Sequence, residues 1–246
     1  MKTNWISRTR TPFFLILIFF LPVTGSCQDL PSGSGSKISI GPLFSPDFSY
    51  RHLSGDAQYQ YQIANSNNYD IAKISYSGGF SLMYKLINRI DIVTGLLYSD
   101  KGEKTKELPV SYLSVSPSGR AVSSFVNYHM EYMDIPIRVN YYLRNKRLKI
   151  FASLGVVADV LLTERIAETL QYTDGHTTTS STKNRNGFHP VDLSLAAGMG
   201  FKYEVTEHMS LLLAPLYTRF ITPLDNGPIK SYLYTVGLNI GVYFRL

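Results

Sequence analysis

The chain has 246 residues, 44% hydrophobic and only 17% charged, with 18 glycines, 18 tyrosines and a single cysteine. That length supports a sizeable core, and the composition excludes a disordered polymer, a disulfide-stapled mini-protein and, lacking any apolar run of about 18 residues, a polytopic helical membrane protein. Half of the +6 net charge comes from Lys2, Arg8 and Arg10, which no acid accompanies within residues 1–27; 21 basic against 18 acidic residues remain beyond them, so nucleic acid is not an expected partner.

The amino terminus reads as an address. Met1–Pro12 is basic, Phe13–Val23 is an unbroken apolar run too short to span a bilayer, and Thr24–Cys27 is small, which together make residues 1–27 a secretory signal peptide. Cys27 admits two readings: a lipidation site of the bacterial lipoprotein kind, or a bystander of ordinary cleavage near Ser26–Gln28. Residues 28–36 (QDLPSGSGS) form a flexible Gly/Ser linker, and residues 37–246 form the remaining domain.

From there the chain alternates with the period of a strand rather than a helix. Lys37–Tyr50 is a weak strand candidate, blurred by Pro42 and Pro46. In Lys73–Leu86, Ile74, Tyr76, Phe80, Leu82, Tyr84 and Leu86 oppose Lys73, Ser75, Ser77, Gly79, Ser81 and Lys85. Ile90–Ser99 is weaker. Met133–Leu143 sets Met133, Ile135, Ile137, Val139, Tyr141 and Leu143 against Asp134, Pro136, Arg138, Asn140 and Tyr142. Leu148–Leu162 carries Lys149, Ser153, Gly155 and Asp159 on its smaller face, and Asp192–Tyr203 carries Asp192, Ser194, Gly198, Gly200 and Lys202 on its own. Met209–Ile221 is weaker again because of Pro215, and Tyr232–Leu246 is the clearest of all, with an apolar or aromatic residue at every even position.

These are about eight strands, each near or above the ~9–11 residues that cross a bilayer at a tilt. Tight turns at 86–89, 144–147 and 204–208 alternate with long polar stretches at 51–70, 100–127 and 163–189 and a shorter Pro/Gly connection at 222–230. All turns therefore lie at one end and all loops at the other, as in outer-membrane barrels. A soluble barrel also alternates, but with its apolar face inward. Lipid outside is favoured by a Gly/Ser-rich polar face with isolated charges, by Tyr and Phe near strand ends, and by a closed sheet that satisfies every backbone group. The expected fold is all-β: an eight-stranded antiparallel up-and-down transmembrane β-barrel.

The last residues, NIGVYFRL, resemble the carboxy-terminal assembly signal of bacterial outer-membrane barrels, with Asn239, Gly241, Phe244 and Leu246 in its places. Thr94–Gly102 (TGLLYSDKG), Tyr132–Ile137 (YMDIPI) and Gly198–Tyr203 (GMGFKY) are similar to segments of the PorT-like outer-membrane β-barrel proteins of Bacteroidetes, a resemblance that covers residues 37–246. It implies a location in the outer membrane, lipid and the barrel-assembly machinery as partners, and, as an alternative role, an accessory part in a protein-secretion assembly.

Chemistry is sparse. Gly198-Met-Gly200 lies within a strand and is no phosphate loop, the five histidines have no metal-ligand spacing, and no cofactor is expected. His129, Glu131 and Ser123 or Ser124 near one strand end compose the weak case for a barrel-rim hydrolase or acyltransferase. Lys73, Asp134, Arg138, Lys149, Asp159, Asp192, Lys202 and Arg245 are expected inside the barrel as a paired, immobile charge network, while Asp47, Asp91, Asp100 and Glu103 read as strand-end and turn groups. The role expected is structural or surface-binding, through long external loops meeting an extracellular ligand, with no open pore and no catalysis.

Overall fold

The computed structural model describes residues 36–110, 120–145, 147–184 and 187–246. The expected signal peptide, Cys27 and the linker up to residue 35 lie outside the described residues. In chain order the elements are β1 (Ile38–Gly55), α1 (Gln60–Tyr69), β2 (Asp70–Ile87), β3 (Ile90–Lys101), β4 (Glu103–Thr105), β5 (Leu108–Pro109), β6 (Ala121–Asn145), β7 (Leu148–Tyr172), β8 (Thr177–Asn184), β9 (Val191–Glu204), β10 (Met209–Phe220) and β11 (Ile229–Arg245).

Eight of these strands form a closed antiparallel ring, β1-β2-β3-β6-β7-β9-β10-β11, which returns to β1 through the register Ser39↔Arg245 to Gly55↔Ile229. Closure leaves no edge in the ring, the condition a sheet must meet to lie in lipid. β4 and β5 fill in beside β6 where β3 ends, and β8 is added to the upper half of β7.

The faces settle which solvent lies outside. Ile74, Met199, Phe80 and Leu154 point outward at 78%, 68%, 66% and 66% exposure, whereas Asp159 and Ser194 are sealed inside at 0%. A soluble barrel would have these reversed. The outward apolar band runs from the turns up to Phe48, Ile74, Leu162, Val191, Ile221 and Val236.

Two apolar layers fill the lumen. Near the turns, Met83, Val93, Tyr142, Phe151, Leu212, Ala214 and Tyr243 pack together; near the other end, Met130, Tyr132, Leu161, Phe220, Leu224 and Leu233 do so, with Phe188 against them. Edge-on ring contacts bind each layer, Tyr142–Phe151 at 5.7 Å and Tyr132–Phe220 at 5.6 Å between centroids. Gly200 makes the lower layer fit: a Cβ there would stand 2.5 Å from Ala214 Cβ and 2.8 Å from the Phe151 ring.

The expected loops need correction. β6 and β7 are each 25 residues long, so much of 100–127 and 163–189 is paired strand, and Gln60–Tyr69 is a helix rather than a loop. Beyond the bilayer both faces of a strand meet water, so the period-two contrast in hydrophobicity fades while the backbone pairing continues.

Candidate functional site

The chemistry of the molecule is a column of charges in the lumen, with further ion pairs in the strand walls around the outer mouth. At the turn-side rim Glu204 is shared by Lys149 at 2.6 Å and Arg245 at 3.4 Å, so these two cations belong to a half-exposed rim rather than to the interior expected for them. One layer up, Tyr142 Oη donates to Asp91 at 2.6 Å, and Lys202 Nζ lies 3.6 Å from the same carboxylate and 3.1 Å from Met83 Sδ.

Lys101 organises the mid-lumen. The cross-strand register Asp134↔Asp159 brings two carboxylates together from β6 and β7, and Lys101 Nζ binds them at 3.0 and 2.6 Å. Ser194 donates to Asp159 at 2.7 Å, and the ammonium stands 5.2 Å from the centres of both the Tyr132 and Phe220 rings, so the upper apolar layer also shields it. Asp192, expected in the same network, takes a hydrogen bond from Thr222 Oγ1 at 3.0 Å instead.

Arg138 departs from the expectation of a paired interior. It is 6% exposed and borders a cavity of about 40 Å³ with Asp47, Lys101, Asp134, Thr235 and Asn239, yet among the described residues no carboxylate lies within ion-pair distance and its Nε has no hydrogen-bond partner. Asp134 is four residues away on the same face of β6, but Lys101 holds it.

Above the apolar band the charges are denser. Lys73 Nζ binds Asp100 at 2.6 Å where β3 gives way to β4, and His129 Nδ1 is 2.9 Å from each of these two groups. Arg51 donates to Asp70 through Nε and Nη2 at 3.1 and 2.7 Å, and its Nη1 lies 3.1 Å from Glu103. Glu103 is fully buried, and that burial pushes its carboxyl up to about 7; Arg51 pulls it down while Asp70 and Glu164 push it further up. Burial also raises Glu164.

Asp91, Asp100 and Glu103 are thus buried partners rather than turn groups, and Lys101 is the cation that sequence reading overlooked. The signal exists: odd positions of β3, from Asp91 through Ser99 to Lys101, continue the lumen face. Val93 and Leu97, lumen-facing and apolar, obscure it.

The hydrolase residues are not brought together. Ser123 Oγ contacts Glu107 and Gln171, His129 serves Asp100 and Lys73, and Glu131 lies 3.8 Å from Arg165. Among the described residues no group of three or more His, Cys, Asp or Glu side chains is arranged to hold a metal ion. Of the assembly-signal residues, Asn239 faces the lumen, Gly241 leaves room for the Tyr243 ring, and Phe244 and Leu246 point outward.

No curated protein matches the sequence. Among solved structures, the chain is similar to Neisserial surface protein A (13% identity, 87% of this chain and 100% of that one, TM-score 0.46). It is also similar to the attachment invasion locus protein Ail of Yersinia pestis (10%, 87% and 100%, 0.39) and to OprG of Pseudomonas aeruginosa (13%, 89% and 99%, 0.40). The family model described as outer membrane protein beta-barrel domain matches residues 34–227. With its lipid-facing apolar band and closed ring, the chain belongs to this family of bacterial outer-membrane β-barrel proteins.

Proposed function

We propose that this barrel is a closed membrane anchor that lifts a polar β-platform above the cell surface for recognition of an extracellular ligand. The observation that carries this reading is the length of β6 and β7, 25 residues each, more than twice the ~9–11 that a bilayer requires. The surplus is ordered sheet, not slack loop. Its upper part, with β8, presents Thr169, Gln171, Thr177, Thr178, Thr179, Ser180 and Ser181, a hydroxyl- and amide-bearing surface suited to polar contacts. β8 pairs with β7 alone among the described residues, so one backbone edge stays open for an added strand. The two apolar layers that cross the lumen argue against a conducting path.

In this reading the signal peptide directs export, and the assembly machinery takes up the barrel through Asn239, Gly241, Phe244 and Leu246. The resemblance to PorT-like proteins offers an accessory secretion role as the alternative. Two measurements test the proposal. The full-length protein in planar bilayers should give no stepwise conductance, and cells displaying it should bind an array of glycans and matrix proteins that cells lacking residues 173–186 do not. Steady single-channel currents, or identical binding by both cell types, would overturn it. Co-purification with other secretion proteins would favour the alternative.

A further inference from the structure

The register of β7 and β8 sets Arg165 directly opposite Lys183, and His129 of β6 faces Arg165 from the other side. Directly paired residues project to the same face, and like charges so placed repel. That face is the outer one. On β7 the side chains of Asp159, Leu161 and Glu164 are buried toward the inside, with an irregularity in the ladder between Thr163 and Leu161, which leaves Leu162 and then Arg165 pointing outward. Leu162 and Val191, 39% and 51% exposed, are the last apolar residues beneath the pair. Arg165 and Lys183 therefore stand at the upper rim of the lipid-facing band, at the depth of the outer-leaflet headgroups.

Compensation from the protein is incomplete. The groups facing the pair are Glu131, Asp100, Lys73, His129 and, one strand further, Lys104. Asp100 is held by Lys73, Glu131 comes no nearer to Arg165 than 3.8 Å, and Lys104 sits over the Phe125 ring at 4.2 Å. Among the described residues Arg165 Nε has no hydrogen-bond partner, and exposed Lys183 has no acid within ion-pair distance. Two opposed cations resting on lipid, with one distant carboxylate on the β6 side of Arg165 and none on the side of Lys183, need an anion, and the surrounding solvent that supplies one is the headgroup layer.

We propose that Arg165 and Lys183 form a binding site for the phosphate of an outer-leaflet glycolipid headgroup, with the guanidinium fork and the ammonium holding its oxygens. The acyl chains of the same lipid lie along Leu162 and Val191. The site is independent of any extracellular ligand of the platform above it.

Native mass spectrometry of the full-length protein in non-ionic micelles tests this, with phosphorylated lipid A, dephosphorylated lipid A and inorganic phosphate as probes. Wild type should retain phosphorylated lipid A at least tenfold better than the dephosphorylated form. The double variant Arg165→Gln/Lys183→Gln should lose that preference while keeping the heat-shifted mobility of a folded barrel. Glu131→Gln, which removes the competing carboxylate, should tighten retention several-fold and keeps the test decisive if the double variant does not fold. Equal retention of both lipids by wild type would overturn the proposal. So would displacement of phosphorylated lipid A by an equal concentration of inorganic phosphate, which would mark a site for soluble anions.

Discussion

Arg138 and Lys101 sit in the same lumen with opposite energetics. A buried charge is tolerated when partners replace its lost hydration and is costly when they do not. Lys101 pairs with both Asp134 and Asp159, so Lys101→Met leaves two carboxylates without their cation and should lower unfolding free energy by about 3–5 kcal/mol. Arg138 has no such partner, so Arg138→Met should be neutral or raise it by about 1 kcal/mol or more. Urea unfolding of both variants in one micelle system compares them directly; equal destabilisation would show that the Arg138 guanidinium is compensated after all. That these residues face inward is legible from alternation. Which carboxylate each one meets is not, because Asp134 and Asp159 come together only through the register between β6 and β7.

Elements are legible where lipid imposes contrast and illegible where water meets both faces. β11 shows the first case: Val236, Ile240 and Phe244 point outward, while Leu233, Asn239 and Tyr243 are buried, as a period of two requires. On the other side of the mouth β4 shows the second, three residues recognised only through pairing with β2 and β6. Glu103 on β4 gives the outer mouth a pH dependence. Its folded pKa is raised from the usual 4.5 to about 7, so the folded state binds more protons than the unfolded state between these values. The Glu103 contribution to stability is therefore greatest below about pH 4.5, falls as pH rises toward 7 and levels off above, a loss on the order of 3 kcal/mol for a shift of this size. Amide protection factors of β2 and β4, corrected for intrinsic exchange, should fall across that window in wild type and stay flat in Glu103→Gln. A second element-scale outcome concerns β9: Gly200→Val would drive a side chain into Ala214 and Phe151 and should abolish the heat-shifted folded band.

At the scale of the whole molecule, closure joins residues nearly the full domain apart, since Ile40 pairs with Phe244. Until that seam forms, two strand edges are exposed, and non-local pairing of this kind is slow. Once it forms, no strand of the ring is left with an unpaired edge and opening requires breaking a whole ladder. The expected consequence is a protein that enters the outer-membrane fraction and migrates differently in gels before and after boiling. Removal of residues 238–246 should eliminate the shifted form. A truncated chain that still shifted would mean the seam is not what holds the ring.

Alternation along the chain specifies the eight ring strands and the face presented by residues in the lipid-spanning stretches of β2, β6, β9 and β11. It does so because a bilayer outside and a narrow lumen inside impose opposite chemistry on alternate residues over the whole span. Tertiary structure alone decided three things: the pairing of Lys101 with Asp134 and Asp159, the isolation of Arg138, and the continuation of β6 and β7 far above the membrane. Ion pairs depend on inter-strand register, which no single segment encodes, and strands surrounded by water carry no hydrophobic period to read.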